Sequence, residues 1–148
     1  MTTLAVMVFL LLAVIAALHA AWGFGLRWPA EDERDLVALV VGATGRTRMP
    51  AMVECLAAAA AILGAGLVAL AAAGLVAVPI SPVLLAAIAA LVAAVFAVRG
   101  LAAYLPAWRR RFAQEPFATL DRSWFGPLCL LLALAFAFLA IGRMWMRS

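Results

Sequence analysis

The chain has 148 residues, of which 70% are hydrophobic and 12% are charged, and its mean hydropathy is +1.18. Soluble domains carry about 25% charged residues, and a domain of this size leaves a large share of its surface in water. These values exclude a soluble enzyme, a disordered chain and a small secreted disulfide-linked module. The formal net charge of +4 suits anionic lipid headgroups better than nucleic acid. The composition therefore predicts an integral membrane protein.

Four apolar segments are each long enough to cross a bilayer as a helix, which takes about 20 residues. They cover residues 4–26, 51–78, 83–105 and 124–145. Their continuous apolar character favours helices over the alternating strands of a membrane barrel. We therefore expect an all-α fold in which residues 1–148 form one domain, an antiparallel bundle of four transmembrane helices.

The ends and contacts of the early helices also leave signals in the sequence. The first segment lacks a basic stretch and a small-x-small cleavage site, so we expect a retained helix rather than a signal peptide. The prolines in residues 78–82 predict a tight turn that folds the second and third segments into a hairpin. Ala60 and Gly64 form a small-xxx-small pair, and Gly66 and Gly74 add further notches for close helix contact.

The distribution of arginines predicts the orientation, because cytoplasmic loops are enriched in basic residues. Residues 27–50 and residues 106–123 hold four arginines each, whereas the other side of the membrane holds only Arg143 and Arg147. We therefore expect a multi-pass inner-membrane protein with both termini outside the cytoplasm. Tryptophans would then mark the two interfaces: Trp22, Trp28, Trp108 and Trp124 on the cytoplasmic side and Trp145 on the other.

Polar residues gather at one level of the predicted bundle. Ionisable groups inside a bilayer are costly, and each one is a hypothesis about function. His19, Glu54 and Arg99 lie within three of the segments, and Asp121 lies at the start of the fourth. All four fall in the cytoplasmic third of the membrane, which predicts a shallow polar pocket open to the inner leaflet. The candidate binding residues are His19, Trp22, Glu54, Arg99, Tyr104, Asp121, Arg122 and Cys129.

Each ionisable residue also has a purely structural interpretation. Arg99 can extend its guanidinium to the headgroups or pair with Glu54. Glu54 can complement the dipole of its helix, and Asp121 can cap the fourth helix. His19 cannot reach the headgroups and needs a hydrogen-bond partner inside the membrane. The clustering of the four residues, rather than any one of them, favours a binding site.

Other motifs do not support a recognisable chemistry. Residues 36–45 read LVALVVGATG, but the third glycine and the βαβ unit of a dinucleotide site are missing. We expect a short interfacial helix or strand there, with Gly42 and Gly45 in turns and with Arg46 and Arg48 facing lipid phosphates. The acidic run at residues 31–35 is typical of a helix N-terminus. The spacing of Cys55 and Cys129 is not typical of metal ligands, so we expect no metal site. No motif in the sequence indicates a particular cofactor.

Three short motifs resemble a family of small bacterial four-helix membrane proteins, the domain of unknown function DUF3995. They are residues 19–23 (HAAWG), Arg99-Gly100, and the stretch from Phe117 to Cys129, in which Phe125 departs from a pattern that favours tyrosine. The resemblance implies a four-helix membrane domain. It also implies that five of the candidate binding residues belong to one recurring site: His19, Trp22, Arg99, Asp121 and Cys129. It implies no activity.

Three functions fit these observations. The first is a non-enzymatic accessory or lipid-contacting subunit with the polar pocket as its binding site, acting with a membrane-protein partner or as a homo-oligomer. The second is a small proton-coupled transporter in which His19 and Glu54 titrate, although transporters place such groups near the midplane. The third is a membrane enzyme acting on a quinone or a lipid, with proton transfer by His19 and Asp121. The loops are too short for a catalytic domain, which favours the first.

Overall fold

The computed structural model describes residues 1–145. Within this range all regular structure is helical. A single π-helical turn, Asp121–Phe125, connects the last two helices. The helices are α1 (Thr2–Gly23), α2 (Glu33–Val40), α3 (Met52–Ala72), α4 (Pro82–Ala102), α5 (Pro106–Arg111), α6 (Phe117–Leu120) and α7 (Gly126–Trp145).

Four helical stretches are long and apolar enough to cross a membrane: α1, α3, α4 and the continuous run of residues 117–145. This confirms the predicted all-α membrane fold with four spanning helices. Their surfaces carry large exposed apolar side chains, for example Leu10, Leu91 and Leu131. These side chains contact lipid, because exposed apolar area of this extent is unfavourable in water.

The helix ends differ from the predicted segments for local reasons. The second segment was expected to reach residue 78, but α3 ends at Ala72 and Gly74 turns the chain with a positive φ of 77°. A left-handed conformation after a helix end is one that glycine adopts without strain. Helix α4 begins at Pro82, and the Ser81 hydroxyl accepts the amide of Leu84 at 3.2 Å. The fourth span starts at residue 117 rather than 124, because the polar residues before Trp124 continue the helix through the π-turn.

The bundle is assembled from two tightly packed helix pairs, α1 with α3 and α4 with α7. The proline turn does bring α3 beside α4 as predicted, but this contact is much smaller than either pair. Gly66 lies against Phe9 and Leu12 of α1, whereas Gly64 has no atom within 4 Å of where a Cβ would lie. The predicted notch at Gly64 is therefore not used by the described part of the chain. Phe136 fills the centre, fully buried and stacked on Phe96 with 5.8 Å between ring centroids.

The two long loops dock on each other across one end of the bundle. The Thr44 amide donates to the Arg111 carbonyl at 3.0 Å, and the Gln114 amide donates to the Gly42 carbonyl at 3.2 Å. Gly42 has a φ of +66°, and the ring of Phe117 occupies the space that its Cβ would need. The predicted interfacial element at residues 36–45 is thus the end of helix α2 followed by a glycine turn. The docked loops cover the ends of α1, α3 and α4 that carry His19, Glu54 and Arg99.

Candidate functional site

A buried ion pair joins α4 to the π-turn. Asp121 is only 3% exposed, and its Oδ1 lies 2.5 Å from Nη2 of Arg99. Its Oδ2 accepts a hydrogen bond from Nε1 of Trp108 at 2.9 Å. The Arg99 guanidinium carbon in turn lies 4.9 Å from the Trp108 ring centroid, within cation–π range. Arg99, Trp108 and Asp121 therefore form one connected cluster, which we call the Arg99 cluster.

This geometry corrects two structural interpretations of the sequence. The N-cap role for Asp121 is wrong, because the helical run already begins at Phe117 and Asp121 continues it in the π-turn. The pairing of Glu54 with Arg99 is also wrong. Glu54 instead accepts the backbone amide of Ala51 at 2.7 Å and so closes the first turn of α3. The helix-start role of Glu54 is thereby confirmed, as charge and hydrogen bonding at a helix N-terminus favour it.

Two glycines allow α4 and α7 to approach beside the Arg99 cluster. A Cβ on Gly100 would lie 2.9 Å from the backbone oxygen of Gly126 and 2.8 Å from the side chain of Leu130. A Cβ on Gly126 would lie 3.3 Å from the backbone oxygen of Gly100 and 3.0 Å from the Cβ of Ala103, at the end of α4. Small residues at such crossings let helix backbones come together in membranes. Gly100 and Gly126 thus set the distance across which Arg99 reaches Asp121.

One nitrogen of Arg99 has no hydrogen-bond partner within residues 1–145. Nη1 is buried, while Nη2 binds Asp121. The side chain as a whole is 32% exposed and borders a cavity between the two helix pairs. An unpaired buried donor on a charged group is costly, so it favours a hydrogen-bond acceptor when one can enter.

That central cavity has a volume of about 450 Å³ and lies between α1, α3, α4 and the docked loops. Its charged and polar side chains come from four different parts of the chain, and aromatic rings form much of the remaining wall. The polar members are His19, Arg46, Glu54, Cys55 and Arg99, and the aromatic members are Trp22, Trp108, Phe112 and Phe117. The volume is within the range of small-molecule sites.

His19 is held in a defined orientation at the edge of this cavity. Its Nδ1 lies 2.8 Å from the carbonyl oxygen of Ile15, one turn earlier in α1. The His19 ring also packs on Trp22 with 5.1 Å between centroids. In the neutral ring, donation from Nδ1 leaves Nε2 as a hydrogen-bond acceptor. The hydrogen-bond partner of His19 is thus its own helix backbone, and Nε2 makes no hydrogen bond within the described residues.

A second cavity lies on the far side of Trp108. Its volume is about 600 Å³, and Asp121 and Arg122 line it together with Arg109 and Arg110. Tyr104 donates a hydrogen bond to the Arg122 carbonyl at 3.1 Å. Trp108 and Phe112 form the wall shared by this cavity and the central one.

The candidate residues from the sequence are thus divided by the tertiary structure. His19, Trp22, Glu54 and Arg99 line the central cavity, and Asp121 joins them only through its contact with Arg99. The other three lie outside the central cavity. Of these, Arg122 lines the second cavity, Tyr104 is hydrogen-bonded to its backbone, and Cys129 is half-buried in α7.

Sequence reasoning missed two members of the site. Trp108 was expected only as an interface marker, and no hydropathy signal distinguishes it from the other tryptophans. Arg46 was expected to face lipid phosphates and to mark the cytoplasmic side, yet it lines the central cavity. Both residues lie outside the four spans, in segments that fold back over the bundle. The hydropathy of the spans therefore gives no information about them.

Comparison with known proteins identifies one family. The family model described as "Protein of unknown function (DUF3995)" matches residues 12–136, which reach from α1 into α7. The chain therefore belongs to this family, as its motifs predicted. No curated protein and no solved structure gives a significant match.

Proposed function

We propose that this member of the DUF3995 family is a non-enzymatic inner-membrane protein that binds the polar end of an amphiphilic ligand in the central cavity. It would act as an accessory or lipid-contacting subunit. The observation that carries the proposal is the unpaired Nη1 of Arg99 beside a cavity that also contains a second arginine. We propose one domain over residues 1–148.

The chemistry of the cavity wall defines the ligand class. Arg46 and Arg99 offer guanidinium groups, which bind carboxylate or phosphate through paired hydrogen bonds. Nε2 of His19 accepts a hydrogen bond from a hydroxyl or a protonated acid. The rings of Trp22 and Trp108 supply flat apolar surface next to these groups. A single anionic headgroup attached to an apolar chain or ring matches this combination.

A space-filling substitution tests the proposal without touching a charged residue. Ala58 lines the cavity, whereas the neighbouring Ala57 is exposed on the surface of α3. We expect Ala58→Leu to weaken binding of dodecyl phosphate, measured by tryptophan fluorescence in dodecyl maltoside micelles, by about 10-fold, since a blocked site loses its ligand contacts. The matched control, Ala57→Leu, should bind as the unmodified protein does. Equal binding by both variants would refute the central cavity as the site.

A proton-coupled carrier is the second candidate, favoured by one observation. His19 and Glu54 line the same cavity, so both groups could exchange protons with one bound species. Replacement of His19 by Ala should then abolish pH-dependent uptake in proteoliposomes. If the protein is instead the binding protein that we favour, His19→Ala should reduce the affinity for dodecyl phosphate, and the unmodified protein should show no uptake. The enzyme alternative is less well supported, because His19 and Asp121 line different cavities.

We propose that both termini lie outside the cytoplasm and that the docked loops face it. Eight arginines in residues 27–50 and 106–123 support this orientation. Cysteine placed at Ile80 should react with a membrane-impermeant maleimide added to intact cells, and cysteine placed at Ala113 should react only after lysis. Labelling at position 113 in intact cells, with labelling at position 80 only after lysis, would show that the topology is the opposite of the one proposed. A membrane-protein partner or a second copy of the chain remains part of the accessory-subunit proposal, and crosslinking in the native membrane tests it.

A further inference from the structure

The second cavity, on the far side of Trp108, contains more basic than acidic side chains. The side chains of Arg109, Arg110 and Arg122 line it. Within the described range, none of these three side chains makes an ion pair or a hydrogen bond. We call this volume of about 600 Å³ the arginine cavity.

The acidic residues of the arginine cavity are already engaged. Asp121 is paired with Arg99 and Trp108. Glu115 accepts hydrogen bonds from the amide and the hydroxyl of Thr119, both at 3.1 Å. The charge of Asp121 is compensated by Arg99, whereas Glu115 keeps its negative charge. The three arginines outnumber this one uncompensated carboxylate, so positive charge predominates in the cavity. A basic pocket beside membrane helices on the cytoplasmic side is the arrangement that binds anionic lipid headgroups.

An apolar groove on the outer face of α4 adjoins the arginine cavity at Trp108, which lines both. Ala94, Val95, Val98 and Ala102 form its floor, and Arg99 lines it as well. The groove has a volume of about 440 Å³, and almost all of its lining surface is apolar. A second alanine-lined groove of about 440 Å³ between α4 and α7 meets the first at Ala94. The arginine cavity and the two apolar grooves therefore adjoin one another, at Trp108 and at Ala94.

We propose that the arginine cavity and these grooves bind one anionic phospholipid. Its phosphate would lie among the three arginines and its acyl chains along α4. The positive charge calls for an anionic headgroup, and the adjoining apolar channels call for a diacyl lipid rather than a soluble phosphate. Zwitterionic lipids lack the net charge that the three guanidinium groups can compensate. The groove on the outer face of α4 shares Arg99 and Trp108 with the central cavity, but the three arginines proposed to bind the phosphate do not line the central cavity. The triple arginine variant below therefore tests this site, and Ala58→Leu tests the central cavity.

The test compares two lipids and two sets of variants in the full-length protein. Native mass spectrometry after gentle detergent extraction should show that phosphatidylglycerol binds about 10-fold more tightly than phosphatidylcholine. The reason is that each basic residue near an anionic lipid adds to the free energy of binding. The triple variant Arg109→Gln, Arg110→Gln, Arg122→Gln should lose this preference. The matched control replaces Arg27, Arg34 and Arg48, which line a surface depression together with Asp32 and Glu33. The control removes the same charge and should keep the preference.

Two further arms separate a lipid from other ligands and from a folding defect. Glycerol 3-phosphate should not displace bound phosphatidylglycerol, and effective displacement would show a soluble-phosphate site instead. Ala94→Phe should block the grooves and weaken lipid binding, whereas Ala87→Phe, exposed two turns away on α4, should not. If the triple variant does not fold, Ala94→Phe and Ala87→Phe carry the test. Equal affinity for the two lipids, or equal loss in the triple variant and its control, would overturn the proposal.

Discussion

The Arg99 cluster allows a quantitative prediction about stability. Asp121 is 3% exposed and is the acceptor for both Arg99 and Trp108. Asp121→Ala would leave a guanidinium and an indole N–H without their acceptor. Removing one partner of a buried ion pair costs about 3–5 kcal/mol. Because Arg99 is 32% exposed and would keep its contact with the Trp108 ring, we expect a loss at the lower end of this range, about 3 kcal/mol in the free energy of unfolding.

Equilibrium unfolding in mixed micelles, followed by far-UV circular dichroism, measures this loss. Asp121→Asn keeps one carbonyl acceptor and should cost about half as much. The double variant Arg99→Leu, Asp121→Leu removes both charges and should be more stable than Asp121→Ala, since an apolar replacement leaves no buried charge. Glu31→Ala, an exposed acid, is the control and should change stability by less than about 0.5 kcal/mol. A loss below about 0.5 kcal/mol for Asp121→Ala would show that the ion pair does not hold α4 to the π-turn.

Two further predictions concern glycines in contrasting surroundings. Gly100→Ala should destabilise the protein by about 1–3 kcal/mol, because its Cβ would meet the backbone of Gly126 at 2.9 Å. A Cβ on Gly64 would have no atom within 4 Å. Gly64→Ala should therefore be neutral or stabilise the protein by about 0.5–1 kcal/mol, since alanine favours a helix. Equal changes in stability for Gly100→Ala and Gly64→Ala, measured in the same unfolding assay, would contradict the packing of α4 on α7. Gly42→Ala and Gly45→Ala both force a non-glycine residue to positive φ, but only Gly42 also has an aromatic ring in the way. Gly45→Ala should lower the free energy of unfolding by about 1–2 kcal/mol, and Gly42→Ala should lower it clearly more. A larger loss for Gly45→Ala than for Gly42→Ala in thermal unfolding would refute the docking of the two loops.

Candidate residues could be found from the sequence because burial in a membrane makes polar groups conspicuous. His19, Glu54 and Arg99 stand out in apolar segments, and the structure places all three on one cavity. Their partners could not be found in the same way. Arg99 binds Asp121, which is 22 positions away on another helix, rather than Glu54. Helix rotation and separation decide this choice, and hydropathy carries no information about either.

The amino-acid sequence alone determined the number of apolar spans and which of them carry polar residues. In hydrocarbon every backbone polar group must be satisfied within its own segment, so about 20 apolar residues in a row specify a helix. Only the tertiary structure decided which helices pair and how the loops close over them. Close contact at Gly100 and the π-turn at Asp121 bring together groups that are distant in sequence, because side-chain pairing depends on packing over a few ångströms.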